Sequence, residues 1–218
     1  VFFQRVFCLL LASASDQTVV NQQAGSRWLA LFCPCSSPTF LPSCSNVGEC
    51  ENVLPPSARP NQVVIFGSPG KRRHTHELIT RLGGYHKLFG PDVTVLDIGE
   101  PLALPDPLHA EVSCLGPLPP AEVFAYLLQS RFGFFYSEPD QFSKSGVFAA
   151  YCAAGVIPVI AFHPCESSLY FLAPSELATR RMPISDLDHV WRNCRGWFKR
   201  YSSIACADEL VASLNGFN

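Results

Sequence analysis

From residue 63 onward the apolar positions fall in short unbroken runs separated by longer amphipathic stretches. VVIFG (63–67), VTVLD (93–97), EVSCLG (111–116), FGFFYS (132–137) and VIPVIA (156–161) are bounded by glycine, proline or polar residues. Runs this short and this apolar predict strands covered on both faces. Between them, residues 71–82, 121–130 and 147–154 carry helical patterns; Gly83-Gly84 stops the first and Gly155 closes the last, as glycine commonly does at a helix end. Strand and helix alternating over short connections predict an α/β fold: a Rossmann-like parallel sheet with helices on both faces.

Outside that region the pattern is weaker. Residues 1–12 predict a helix, 18–21 a short strand and 22–32 a second helix, whereas 33–62 is rich in proline and serine without periodicity. A stretch of that kind reads as a linker or a long irregular crossing. Several short helical pieces are expected over 166–200, and a terminal helix over 207–214 capped near Gly216. The expected organisation is therefore the tail of a truncated N-terminal α/β domain (1–32), an inter-domain linker (33–62) and an α/β domain (63–218).

The chain begins with Val1, so the true N-terminus is expected upstream. Its opening, VFFQRVFCLLLASASD, has the single arginine, short apolar stretch and small residues of a signal peptide. The strand-like TVVN and the amphipathic segment ending in Trp28 and Leu29 favour the tail of an earlier domain instead. No apolar run reaches the ~20 residues that span a bilayer.

Composition narrows the partners. With 48% hydrophobic and 16% charged residues among 218, the chain has the makings of a real core. A net charge of −2 offers no basic excess for a nucleic-acid backbone. Of the ten cysteines, Cys33, Cys35, Cys44 and Cys50 cluster, but without paired Cys-x-x-Cys or a His pair. Reduced, free thiols, no metal and a cytoplasmic location are the expectation.

Ligands of an open parallel sheet bind beyond the carboxyl ends of its strands. The first strand ends in Phe66-Gly67-Ser68-Pro69-Gly70-Lys71-Arg72, where glycines permit close backbone approach and a helix N-terminus favours anions. Gly67, Ser68, Gly70 and Arg72 are candidate binding residues there. The spacing gives neither a Walker loop nor Gly-x-Gly-x-x-Gly, and a tight turn with solvated charges is the competing reading. The fourth strand leads through Ser137 and Glu138 to Lys144-Ser145-Gly146 at the next helix start. There Lys144 brings a point charge, Ser145 a cap or donor, and Gly146 uncovered amides; an N-cap with a solvated lysine is the plainer alternative. Two anion-friendly helix starts at one sheet edge suit a diphosphate. No catalytic residue stands out. His74 and His76, two apart on one helix, face different ways. His163 follows the fifth strand, Asp97 could bind a ribose hydroxyl or cap a turn, and Trp191 and Trp197 read as core or interface anchors.

The run EVSCLGPLPPAEVFAYLLQSRFGFFYSEP, then KSGVFAAYCAAGVIPVI, resembles the nucleotide-sugar-binding half of GT-B glycosyltransferases of the group 1 kind (family 4-like). AAGVIPV (153–159) resembles that group's Ala-x-Gly-x-Pro-Val turn. LASASDQTVVNQQAGSRWLA is similar to the last strand and helix of its N-terminal domain, and SNVGE (45–49) to the crossing between domains. The resemblance implies one half of a GT-B fold. It also implies a nucleotide-diphosphate sugar as donor substrate, no separate cofactor, and hexosyl transfer to an unknown acceptor. One departure stands out: the group often has two glutamates eight positions apart, and alignment on Gly155 puts Phe142 and Ala150 there. A non-catalytic nucleotide-sugar-binding module on the same fold is the alternative. A different Rossmann-type enzyme would need a dinucleotide fingerprint, which is missing.

Overall fold

The computed structural model describes residues 8, 10–13, 15, 18–32, 38–162, 167–174, 177 and 184–215. Most of the predicted first helix, Cys33, Cys35, His163, Cys165 and Gly216 lie outside the described residues. At the amino-terminal side, β1 (Val19–Val20) and β2 (Thr39–Phe40) pair in parallel around helix α1 (Gln23–Phe32).

The rest is built on a sheet of five strands: β3 (Gln62–Phe66), β4 (Thr94–Ile98), β5 (Val112–Gly116), β6 (Phe132–Phe135) and β7 (Ile157–Ile160). All pairings are parallel, in the order β5-β4-β3-β6-β7. Helices α2 (Pro69–Leu82), α4 (Pro120–Gln129) and α5 (Gly146–Ala154) follow strands, as the alternating pattern predicts, and a short helix α3 (Tyr85–Phe89), not expected from that pattern, comes directly after α2. The inner runs are buried as expected, with Val63, Val64, Phe134, Ile157 and Ile160 fully enclosed; the edge strand β5 is not, since Ser113 and Cys114 are exposed.

Strand order reverses at β3, which has β4 on one side and β6 on the other. That junction is where such a sheet opens a ligand crevice. Pairing of β3 with β6 runs from Val63↔Phe132 to Ile65↔Phe134 and goes no further. Into this seam α5 sends Tyr151, whose hydroxyl lies 3.1 Å from the Val64 carbonyl and 2.8 Å from that of Phe134. Gly133 makes room: a Cβ there would lie 2.5 Å from the Tyr151 ring.

Helix α5 is held at its far end too. Every residue from Phe148 to Ala154 is buried. Its last carbonyls accept from two buried arginines: Arg195 Nη1 donates to Cys152 and Ala153 (2.9 and 2.7 Å), and Arg59 Nη2 to Ala154 (2.8 Å). Guanidinium groups at a helix C-terminus satisfy orphan carbonyls and complement the dipole. Burial, with Arg195 nearby, lowers the Arg59 pKa to about 10, which leaves it charged at neutral pH.

The described part of 33–62 is largely irregular but contains β2 and a 3₁₀ turn at Pro56–Ala58, and Arg195 Nη2 holds the carbonyls of Cys50 and Glu51 at 2.8 Å. One expectation is corrected. Instead of short pieces, the later region has one long helix, α6 (Ile184–Tyr201), followed by α7 (Ser203–Asn215). The apolar stripe Leu187, Val190, Trp191, Cys194, Trp197, Phe198 and Tyr201 has helical period. Gly196 and the charges between those positions disguise it.

Candidate functional site

The carboxyl edge of β3 turns sharply at Gly67, with φ +121°. A Cβ at Gly67 would lie 3.2 Å from Val147 Cγ2 in the first turn of α5. The start of α5 therefore lies directly beside the turn that leads into α2. Ser68 is the N-cap of α2, with no side-chain capping bond, and Pro69 takes the first helical position, where its missing N–H costs nothing. Gly70 faces open space.

At α5 the cap is made. Ser145 Oγ accepts from the Phe148 amide at 3.2 Å, and Ser145 is buried. Lys144 is exposed, and its carbonyl accepts from Ser43 Oγ at 2.9 Å. Gly146 is approached by Asn46 Oδ1, 3.7 Å from a hypothetical Cβ. Ser137 Oγ donates to the Glu138 carbonyl at 3.1 Å, while the Glu138 carboxylate accepts from the Gln141 amide.

Between the two helix starts lies a cavity of about 10 Å³, lined by Lys71, Arg72, Thr75, Tyr136, Ser145 and Val147 among others. The structure thus brings together the ends of β3 and β6, with Lys71, Arg72 and Ser145 around one crevice. Above it, His74 stacks on Tyr136 with ring centroids 4.9 Å apart.

Arg72 is not a surface cation. It is 2% exposed; its Nη2 donates to Asp97 and, at 2.9 Å, to the Glu100 carbonyl. Its Nε and Nη1 have no partner among the described residues. The guanidinium packs against Gly99, φ +146°, so closely that a Cβ there would collide with Nη1. Asp97 does not reach the edge to meet a ribose: it is 1% exposed, with one oxygen on Arg72 and the other 2.5 Å from His76 Nε2. Tyr85 Oη meets His76 Nδ1 at 3.0 Å. With its proton on Nε2, His76 donates to Asp97 and accepts from Tyr85. Burial and the Asp97 charge raise the Tyr85 pKa well above its ordinary value, which keeps the hydroxyl a donor.

This buried Tyr85–His76–Asp97–Arg72 chain escaped the sequence reading. A signal was present: Arg72, His76 and Ile79 share one face of a helix whose opposite face is charged. His74, on the exposed face, pairs with Glu77 at 3.5 Å. Trp191 and Trp197 pack against the core, as anchors do. Phe142 packs in an aromatic cluster with Phe148, Tyr170 and Trp197, and Ala150 is fully buried. No group of three or more His, Cys, Asp or Glu among the described residues could hold a metal.

No protein-family model matches the chain, and no curated protein matches its sequence. Solved structures do. Sucrose-phosphate synthase from Thermosynechococcus elongatus superposes with a TM-score of 0.61 at 14% identity, over 96% of this chain and 61% of that one. A mutant form of S. aureus TarM, in complex with Fondaparinux, alpha-GlcNAc-glycerol and UDP, gives 0.59 at 10% identity, over 94% and 45%. An alpha-glucosyltransferase bound to UDP and a 13-mer DNA gives 0.55 at 11% identity, over 94% and 66%. The chain spans about half to two thirds of the length of these structures. Its five-stranded parallel sheet flanked by helices matches the GT-B glycosyltransferase fold, over a length corresponding to part of one such enzyme.

Proposed function

We propose that the crevice between the ends of β3 and β6 binds the diphosphate of a nucleotide-sugar, and that the chain is the donor-binding part of a hexosyl-transferring glycosyltransferase. One observation carries this reading. Two helix N-termini meet beside Gly67; the cavity between them, lined in part by Arg72, has room for about one water molecule, so the phosphates would lie outside it against the helix ends. Each helix start offers free amides and partial positive charge. Arg72 lines the crevice but its charge is paired with Asp97, so the exposed Lys144 is the full cation this reading assigns to the phosphates. Gly67, Ser68 and Gly70 leave the backbone of the α2 turn accessible, and Gly146 does the same for α5. Ser145 spends an oxygen lone pair on its cap but keeps its hydroxyl proton for a phosphate oxygen. Ser137 and Glu138 sit at the β6 end, where a carboxylate suits sugar or ribose hydroxyls rather than phosphate. The UDP held by the TarM and alpha-glucosyltransferase structures supports a nucleotide ligand for this fold.

A second reading has a specific observation behind it. Phe142 lies in an aromatic cluster and Ala150 is fully buried, so neither position offers the carboxylate that the group 1 pattern has there. A binding module without transfer follows from that substitution. Saturation-transfer NMR with UDP-glucose, GDP-mannose and ADP-glucose, followed by assay of released nucleoside diphosphate, separates the readings. Binding with turnover supports the transferase, and binding without turnover supports the module. If none of the three binds, the crevice assignment is wrong.

A further inference from the structure

Among the described residues, two pairs of cysteine thiols meet. Cys152 of α5 and Cys194 of α6 are hydrogen-bonded and fully enclosed in the core, where no reagent reaches them. Cys44 and Cys206 are hydrogen-bonded as well, but both are free and only half-buried. Cys206 lies on the wall of a cleft of about 640 Å³ that Arg27, Arg200 and Glu209 also line. This second pair is open to small molecules from solvent.

The two cysteines belong to segments that other contacts already hold together. The Glu49 carboxylate accepts from the Ser203 amide and from Ser203 Oγ, each at 2.9 Å. It caps the start of α7, where a negative charge is favoured, and Cys206 lies one turn further along the same helix. On its other side the segment rests on the start of α5. Ser43 N donates to the Ser143 carbonyl and Ser43 Oγ to the Lys144 carbonyl, both at 2.9 Å. The Cys44 carbonyl lies 3.9 Å from a hypothetical Cβ at Gly146. Residues 43–49 thus form a strap between α7 and the α5 start.

We propose that Cys44 and Cys206 are a redox-sensitive pair whose oxidation to a disulfide locks this strap onto α7. The oxidant is a small-molecule disulfide, RS–SR, of the glutathione class; two arginines against one glutamate on the cleft wall suit its carboxylates. One cysteine thiolate attacks RS–SR, expels RS⁻ and is left as a mixed disulfide. The second cysteine sulfur then attacks the first, forms the Cys44–Cys206 bond and expels another RS⁻. The two thiol protons leave on the expelled groups as RSH, so two cysteines are oxidised and one external disulfide is reduced. Because the thiols already touch, the bond forms without bringing distant segments together. Burial, followed by the contact with Cys44, raises the Cys206 pKa to about 12, so exchange is slow and the pair answers a sustained oxidising poise. The strap braces the backbone of Lys144, so the lock also bears on the diphosphate site; this consequence rests on the donor reading, whereas the disulfide does not.

The test equilibrates the wild-type chain in oxidised and reduced glutathione at a series of ratios, with disulfides mapped by mass spectrometry of non-reduced peptides. A Cys44–Cys206 linked peptide should appear at oxidising ratios and vanish on return to reducing ones. The linked form should melt roughly 5 °C or more higher, since the bond closes a loop of most of the chain. Cys44→Ser and Cys206→Ser should each abolish both the linked peptide and the rise. The linked chain should bind UDP, GDP or ADP about three- to tenfold more tightly than the reduced chain, the equivalent of one side chain ordered in advance. Absence of the linked peptide, pairing of either cysteine elsewhere, or a link that leaves the melting temperature unchanged overturns the proposal. Equal nucleotide affinity in the two forms overturns the coupling of strap to site. No nucleotide binding in either form, with link and temperature rise intact, counts against the donor reading alone.

Discussion

At the residue scale, two cations that look alike in the sequence have opposite situations. Lys144 is exposed, while Arg72 is buried with its charge committed to Asp97. Removing one partner of a buried ion pair strands the other charge, at a cost of about 3–5 kcal/mol. Arg72→Ala should lower the urea midpoint by that equivalent, and the double change Arg72→Met with Asp97→Leu should recover much of it. Arg72→Ala with wild-type stability would show that the pair does not hold α2 to the sheet. Cys206 offers a second check on packing between distant segments. Burial, followed by a hydrogen bond with the Cys44 thiol, raises its pKa from 9.0 to about 12. Because the folded value lies above the unfolded one, any stability from this contact is intact below about pH 9 and is lost towards pH 12. Alkylation of Cys206 by iodoacetamide, mapped by mass spectrometry, should accelerate about tenfold per pH unit from 8 to 11. A plateau near pH 9 would mean that the two thiols do not meet.

At the element scale, strands and helices between 63 and 161 were legible because period and punctuation agreed. VVIFG could be little other than a buried strand, and Gly155, φ +69°, ends α5 as a left-handed cap. The failures have physical causes. Strand β2 has only two residues beside Pro38, too few for any pattern. Helix α6 was expected only as short pieces, because Gly196 and the interleaved charges weaken its pattern; tertiary packing of its apolar stripe outweighs the ~1 kcal/mol that a helical glycine costs. The candidate site was legible only as helix starts. Its support was not, because the Tyr151 contact and the arginines at the end of α5 come from segments far apart in the chain. Gly133→Ala tests that support: a methyl group at 2.5 Å from the Tyr151 ring must push α5 off the β3–β6 seam. A loss of about 1–3 kcal/mol in chemical denaturation is expected for such overpacking. A neutral substitution would show that α5 is free to shift.

At the scale of the whole molecule, strand order joins these elements into one proposal. A parallel sheet of this kind is expected to bring its first and fourth strands close together; the observed β5-β4-β3-β6-β7 order sets them side by side. Two segments far apart in the chain then share one edge, and neither helix start alone would argue for more than a capped turn. The described helices include none long and apolar enough to cross a membrane. At the sheet edge, charge on a diphosphate must be met by amides and cations, and both are present there. The most direct measurement is calorimetric titration of UDP, GDP and ADP into the wild-type chain and Lys144→Ala, with melting temperatures recorded alongside. Loss of a charge-assisted contact worth about 1.5–3 kcal/mol should weaken binding roughly ten- to a hundredfold. Lys144 is exposed, so the melting temperature should not move. Equal affinity in the two proteins, or no binding of any of the three nucleotides to the wild type, would contradict the assignment of this crevice to a nucleotide diphosphate.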